Sequence, residues 1–397
     1  MSLEDRKEPV GLMEPLLIPE SSQRRGALND LALDLAAKSA AFKSSLPNEI
    51  VEALAKLVRS MNCYYSNLIE GHETHPIDIE RALQEDYSAD PKQRDLQKEA
   101  KAHIAVQSWI DGGGIAGTET SPEALREVHQ RFCELLPESL LWVENPDTKE
   151  KEKVIPGEYR TGHVKVGAHI PVSAGAIPRF MERFDQAYGR LGKSNTIIGA
   201  AGAHHRLLWI HPFADGNGRV ARLMSHAMLL RSLDTGGLWS VARGLARKVD
   251  AYKGHLAACD AGRRNDLDGR GSLSEEALSS FTQFFLETCL DQVSFMEGLM
   301  QPRALRERIL RWTKNEADTG RLPAKAGKLI ESVLYRGALP RGELDDTLGM
   351  ADRTARRVAS SLIKAGVLTS ETHKSDLKLD FPASLASQWM PGLFPEK

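Results

Sequence analysis

Along most of this chain apolar residues recur every three or four positions, the spacing of helices with one buried face. After Pro47-Asn48-Glu49, the residues Ile50, Val51, Leu54, Leu57 and Val58 form such a stripe, which continues through Met61 and Tyr65 to Ile69. A second stripe holds Val220, Leu223, Met224, Ala227 and Leu230. A third holds Leu278, Phe281, Phe284, Phe285 and Leu290, behind Ser274-Glu275-Glu276, where Ser is suited to cap the helix. The same spacing predicts helices over 28–46, 95–110, 200–210 and 239–256, with Leu96, Ala100, Ile104 and Trp109 on the buried side of the second. Ser121-Pro122 opens another, with Ser at the cap and Pro at the first position. Its His129 lies beside the apolar Leu125, Val128 and Phe132 and reads as structural. Strand-like alternation is confined to 157–172. There Val164-Lys165-Val166, a break at Gly167 and His169-Ile170-Pro171-Val172 predict a short hairpin. Residues 1–22, with Pro9, Pro15 and Pro19, read as an extended arm, 76–94 as a charged connection, and 262–272 as a polar loop. The pattern predicts a mainly α fold with one β-hairpin.

Beyond Pro302 the elements shorten. Leu329, Ile330, Val333 and Leu334 mark one helix and 341–348 another. A tight turn at Gly349-Met350-Ala351 precedes a basic helix, and the strands Gly366-Val367-Leu368 and Leu377-Lys378-Leu379 follow. Helix, turn, basic helix and hairpin resemble a winged helix-turn-helix. That resemblance implies that Arg353, Arg356, Arg357 and Lys364 face DNA. Asp345, Asp346 and Asp352 interrupt the basic patch, and such modules also serve as protein-docking surfaces, so both readings stay open here.

Composition narrows the field less than the pattern does. The 397 residues suffice for two or three domains, and a net charge of −2 with 27% charged residues does not advertise nucleic acid across the whole chain. Cys63, Cys133, Cys259 and Cys289 lie far apart without metal or disulfide spacing, as expected of small buried residues in a reducing compartment. No leader-like basic and apolar stretch and no 18-residue apolar run occurs, so the expectation is a cytoplasmic protein without a membrane span.

The densest chemistry lies in His211-Pro212-Phe213-Ala214-Asp215-Gly216-Asn217-Gly218-Arg219-Val220-Ala221-Arg222, a loop between two predicted helices. Backbone N–H groups of Gly216, Asn217 and Gly218 at a helix start form an anion cradle. Arg219 and Arg222, three apart, offer two forks to phosphate oxygens. Asp215 is a hard oxygen ligand for Mg2+, which is usually held by a carboxylate or two plus substrate oxygens. His211 is a base suited to taking a proton from a hydroxyl. Together they point to phosphate transfer at a hydroxyl.

This His-Pro-Phe-x-Asp-Gly-Asn-Gly-Arg-x-x-Arg string resembles the signature loop of Fic domains at every defining position. The resemblance implies a protein adenylyltransferase that moves AMP from ATP to a Ser, Thr or Tyr hydroxyl of a target protein, with self-modification as one form of the reaction. It implies His211 as the base, Asp215 as the Mg2+ ligand, Gly216, Asn217 and Gly218 as the cradle for the α and β phosphates, Arg219 on phosphate and Arg222 on the γ phosphate. The phosphorylating Doc branch departs from the Gly-Asn-Gly-Arg portion that this chain keeps. Tyr252 and His255 lie where relatives present an aromatic to the adenine. Tyr159-Arg160 and the following run resemble the flap that pairs with the target's main chain, which places Lys165, Val166, Gly167 and Ala168 against the target. Ser66-Asn67-Leu68-Ile69-Glu70-Gly71 resembles the inhibitory motif of the class that carries it N-terminally. Glu70 would then pair with Arg222 and keep ATP in an unproductive pose. The resemblance further implies an arm and inhibitory region over 1–94, a catalytic core over 95–298 and a winged helix-turn-helix over 299–397, and it makes a homodimer an expectation. Two other functions stay open: removal of AMP from a modified protein, with Glu70 orienting water, and a nucleotide-sensing DNA-binding regulator. No residue visibly reads the base, so UTP or GTP also stays open in place of ATP.

Overall fold

The computed structural model describes residues 4–144, 149 and 151–395. The chain divides into two compact units. One comprises Met1–Ser39, Asn62–Thr235 and Ser240–Gln292, and the other Ala40–Met61, Gly236–Trp239 and Val293–Lys397. In chain order the first eleven helices are α1 (Arg25–Ser44), α2 (Asn48–Ile69), α3 (Pro76–Leu83), α4 (Pro91–Asp111), α5 (Pro122–Glu134), α6 (Ile177–Tyr188), α7 (Lys193–Ile210), α8 (Asn217–Leu233), α9 (Val241–Arg247), α10 (Val249–Cys259) and α11 (Glu275–Leu299). The fold is mainly α, and its strands are short.

The first unit is built around α7 and α8. Every residue of α7 from Thr196 to Leu207 is buried. Gly199, Ala200, Ala201, Gly202 and Ala203 keep its neighbours close: a Cβ on Gly202 would lie 2.9 Å from the carbonyl oxygen of Leu16. A helix buried all round shows no apolar stripe. Its first turn, Lys193, Ser194 and Asn195, is exposed and polar, so no apolar stripe announces where the helix starts. The N-terminal arm is extended as expected, with one 3-10 turn at Val10–Met13. It is pinned to the body: Asp5 pairs bidentately with Arg179, Glu14 with Arg183 at 2.6 Å, and the Pro15 carbonyl accepts from Arg206. Met13 is fully buried.

Several expectations change at this level. The charged stretch 76–94 contains α3, started by Pro76 at its first position and burying Ile79 and Ala82. Asp90 caps α4, its side chain accepting from Gln93 N at 2.9 Å, so that helix starts at Pro91 rather than Asp95. Residues 239–256 are two helices broken at Lys248. The predicted hairpin over 157–172 reduces to a single bridge between Val166 and His169 around a turn at Gly167, whose φ is +60°. A Pro171 in its return arm and a clasp from Arg160, described below, replace the ladder. A small hairpin instead joins β1 (Trp142–Glu144) and β2 (Lys151–Lys153).

The second unit holds α12 (Pro302–Asp318), α13 (Ala326–Arg336), β3 (Ala338–Leu339), α14 (Leu344–Leu348), α15 (Asp352–Lys364), β4 (Leu368–Thr369), β5 (Leu377–Leu379) and α16 (Ala386–Trp389). The strands form an antiparallel sheet in the order β3-β5-β4, so β3, which the sequence reading omits, becomes the third strand. Helix α15 buries Ala355, Val358, Ala359 and Leu362, and its outer face carries Arg353, Arg356, Arg357 and Lys364. Trp389 is fully buried against Trp312 and Phe381. No helix among the described residues is long and apolar enough to cross a membrane.

Candidate active site

The loop 211–216 enters from α7 through His211, which caps that helix in the left-handed conformation at φ +51°. The His211 Nδ1–H donates to the Leu208 carbonyl at 3.3 Å. That bond leaves Nε2 as the lone-pair nitrogen. Burial pushes the imidazole down to about 4, so it is neutral and able to accept a proton at physiological pH. Phe213, fully buried, stacks on His129 at 4.0 Å. His129 accepts from the Gly157 N–H at Nδ1 and donates from Nε2 to the carbonyl of Asp215, so it is structural in a specific sense: it holds this loop in place.

Gly216 turns the chain into α8 with φ +80°. The Asn217 side chain closes the loop, accepting from the Phe213 N–H at 3.0 Å and donating to the Phe213 carbonyl at 2.8 Å. The amide of Asn217 thus fixes the cradle, and the groups available to an anion are the backbone N–H groups at the start of α8, where the helix has no acceptors for them. Asp215 is exposed and 3.9 Å from Arg219. A single open carboxylate beside an anion cradle fits Mg2+, which takes its remaining ligands from water and substrate phosphates. Among the described residues no group of three or more His, Cys, Asp and Glu forms a closed metal site.

The carboxylate of Glu70 lies against Gly218 at the start of α8. Its Oε1 is 2.5 Å from Arg222 Nη2, and a Cβ on Gly218 would come within 2.3 Å of it. Ser66 completes the hold, its hydroxyl accepting from Arg222 Nε at 2.8 Å and its carbonyl from Nη2 at 3.2 Å. Burial opposes charge on Glu70, but the guanidinium of Arg222, joined by Arg219, outweighs it and keeps the carboxyl below its usual range. Gly71, at φ +84°, ends α2 immediately after this residue. Arg219 faces the other way from Arg222. Its guanidinium bonds the buried Glu99, and Glu99 also bonds His72 at 2.8 Å, which raises the His72 pKa.

A cleft of about 1060 Å³ opens here, with Glu70, His211, Gly218 and Arg222 at one end. Tyr252, Leu256 and Ala257 of α10, with Asp260 just after it, line one wall, and His205, Leu208 and Trp209 of α7 another. The exposed turn Val166–Ala168 with His169 and Ile170 forms the rim, and Lys165 precedes it, also exposed. Tyr252 lines the cleft and is almost fully buried. Its hydroxyl donates to His204 Nε2 at 2.6 Å, His204 Nδ1 donates to Ser225, and burial raises the phenol to about 12. His255 is turned aside and stacks on Phe284 at 4.6 Å.

Glu99 and His204 hold the site without having been singled out by the sequence, and Arg160 stands there only as part of the flap-like run. A signal for both missed residues existed: polar residues on helical faces that the pattern says are buried, Glu99 beside Ala100 and His204 in an alanine-rich run.

Residues 119–229, which span α5 to α8 and contain this loop, match the Fic/DOC family. The chain is 27% identical over 171 residues to the protein adenylyltransferase Fic of Drosophila erecta, an alignment covering 43% of this chain and 32% of that protein. To the protein of the same name from Drosophila melanogaster it is 28% identical over 171 residues, with the same shares of each. The match therefore spans about a third of the length of these curated relatives. Among solved structures, Fic-1 of C. elegans (residues 134–508) superposes with a TM-score of 0.53 at 16% identity, covering 70% of this chain and 74% of that one, and shares its fold.

Proposed function

We propose that the chain is a Fic-type protein adenylyltransferase held in check by its own Glu70. The observation that carries the reading is the Glu70 carboxylate bonded to Arg222 and lying against Gly218, in the cleft that also holds a neutral His211. A carboxylate at a helix N-terminus takes the place of a phosphate oxygen. While it is there, Arg222 cannot grip the terminal phosphate of ATP. Once Glu70 leaves, the start of α8 and Arg222 hold the phosphate chain, and Asp215 would hold Mg2+, whose charge offsets that of the phosphates. His211 Nε2 takes the proton from a target Ser, Thr or Tyr hydroxyl. The oxygen bonds to the α phosphorus, the bond to the bridging oxygen breaks, and pyrophosphate leaves. A target segment lies along Lys165–Ala168, whose exposed main chain suits strand addition. Tyr252 offers its ring to the base. The division into 1–94, 95–298 and 299–397 belongs to the same proposal.

The test compares ATP labelled at the α phosphate with ATP labelled at the γ phosphate, using wild type and Glu70→Gly. The α label should enter protein and the γ label should not, more strongly in the variant. Entry of the γ label would mean phosphorylation and overturn the reading. Removal of AMP remains the competing direction because Glu70 is partly exposed in the cleft and able to order a water. Under that alternative Glu70→Gly would abolish release of AMP from a modified protein rather than increase its addition.

A second reading rests on the outer face of α15. The sheet order β3-β5-β4 behind α13, α14 and α15 supports a winged helix-turn-helix reading, in which the exposed Arg353, Arg357 and Lys364 lie on the helix that would enter a major groove. DNA contact through this face would accompany the transferase activity rather than replace it.

A further inference from the structure

Arg160 is 2% exposed, and every hydrogen bond its side chain makes goes to a backbone carbonyl. Its Nε donates to the His211 carbonyl at 2.8 Å, Nη1 to Gly162 at 2.8 Å and Nη2 to Val172 at 2.5 Å. Its own backbone N–H donates to Pro212 at 2.9 Å. One planar fork therefore ties the end of α7 to both arms of the exposed turn 165–168, entering at Gly162 and leaving at Val172. His169 adds a second tie, its Nε2–H donating to the Trp209 carbonyl at 2.7 Å. Beyond Val172 the arm is fixed again, because Glu8 accepts from both the N–H and the hydroxyl of Ser173.

Two features make this more than packing. His211 is a non-glycine residue held at φ +51°, a conformation that persists only where the surroundings over-determine it. Arg160 supplies that constraint on the C-terminal side of the strained residue, at the carbonyls of 211 and 212, while the His211 N–H stays bonded to the Leu207 carbonyl. The guanidinium also sits at the negative end of the α7 dipole, where a cation is favoured. A lysine ammonium lacks the rigid fork that spans three carbonyls in different directions.

We propose that Arg160 is a positioning residue. It sets the distance between His211 Nε2 and whatever chain docks on the turn 165–168, so that one side chain couples the base to the target-binding edge. This inference rests on the adenylyltransferase reading above. It explains how an edge with almost no strand pairing of its own can present a hydroxyl in register.

The test uses the full chain carrying Glu70→Gly as parent, with Arg160→Lys and Arg160→Met added separately. Self-labelling by ATP labelled at the α phosphate gives kcat and KM for ATP. Amide exchange over 162–172 reports the turn, and thermal unfolding reports the fold. Displacement of a reacting pair by about 1 Å lowers rates on the order of 100-fold. The expected result is a fall of that size in kcat for Arg160→Met and a smaller one for Arg160→Lys. The KM for ATP should stay within about twofold, and exchange at the Val166 and His169 amides should quicken. Full kcat in Arg160→Lys and Arg160→Met would overturn the inference and leave the transferase reading standing. A kcat loss matched by equal losses in ATP affinity and thermal stability would also overturn it, reducing Arg160 to a structural residue. A parent that transfers no label would overturn the transferase reading, and this inference with it.

Discussion

The base role proposed for His211 needs an uncharged imidazole, and His211 shares that condition with much of its surroundings. Burial lowers His103 and His204 to about 3, and His129, His205 and His211 to about 4, from an ordinary value of 6.5. Between these values the unfolded chain binds protons that the folded chain refuses, so stability falls as pH drops from 6.5 towards 4. Urea unfolding at pH 7 and pH 5 should show a loss on the order of 1–2 kcal/mol per histidine. Equal midpoints would contradict the neutral, buried state. Glu70 and Arg222 should also be coupled. Stability measured for Glu70→Ala, Arg222→Ala and the double variant should depart from additivity by about 1–3 kcal/mol, and additive effects would remove the pairing. Much at this scale is legible in the sequence, because the loop residues and Glu70 carry their chemistry in their types and spacing. Arg219 is less so. Nothing local to residue 219 tells that a buried glutamate 120 positions earlier holds its guanidinium, since that contact exists only after α4 and α8 pack.

Among the elements, the end of α2 decides whether Glu70 reaches the cradle. Gly71 has open space around a Cβ but a φ of +84°, so its conformation rather than its size matters. Gly71→Ala should cost roughly 1–2 kcal/mol in the ordered end of α2 and raise transfer above wild type. A variant with unchanged stability and unchanged activity would show that this helix end does not hold Glu70. Caps make helix starts readable: Ser121 and Ser274 stand where the sequence places them, accepting from Ala124 and Ala277. The failures have physical causes. The first turn of α7, Lys193 to Asn195, is exposed and polar and carries no stripe, and α3 looks like a charged linker because only Ile79 and Ala82 of its residues are fully buried. The turn at 165–168 reads as a hairpin because alternation reports which side each residue faces, not whether a partner strand exists; here Arg160 provides the missing ties.

For the molecule as a whole, two compact units invite separate tests. If the second contacts DNA, anisotropy of a labelled duplex should show binding that weakens steeply with salt and falls in Arg353→Ala/Arg357→Ala, with His211→Ala unaffected. Salt-insensitive binding, or none, would leave the unit as a protein-docking surface. The order of elements in this unit is readable apart from β3, but its use is not, because exposed Arg353 and Arg357 share α15 with Asp352, which already pairs with Arg356 at 2.8 Å. The central claim is that Glu70 restrains an AMP transfer carried by His211. The most direct measurement is the intact mass of wild type, Glu70→Gly and Glu70→Gly/His211→Ala after incubation with ATP and Mg2+. The account predicts a gain of one or more AMP units in Glu70→Gly, little or none in wild type, and none in the double variant. An equal gain in all three, or none in Glu70→Gly, would contradict it.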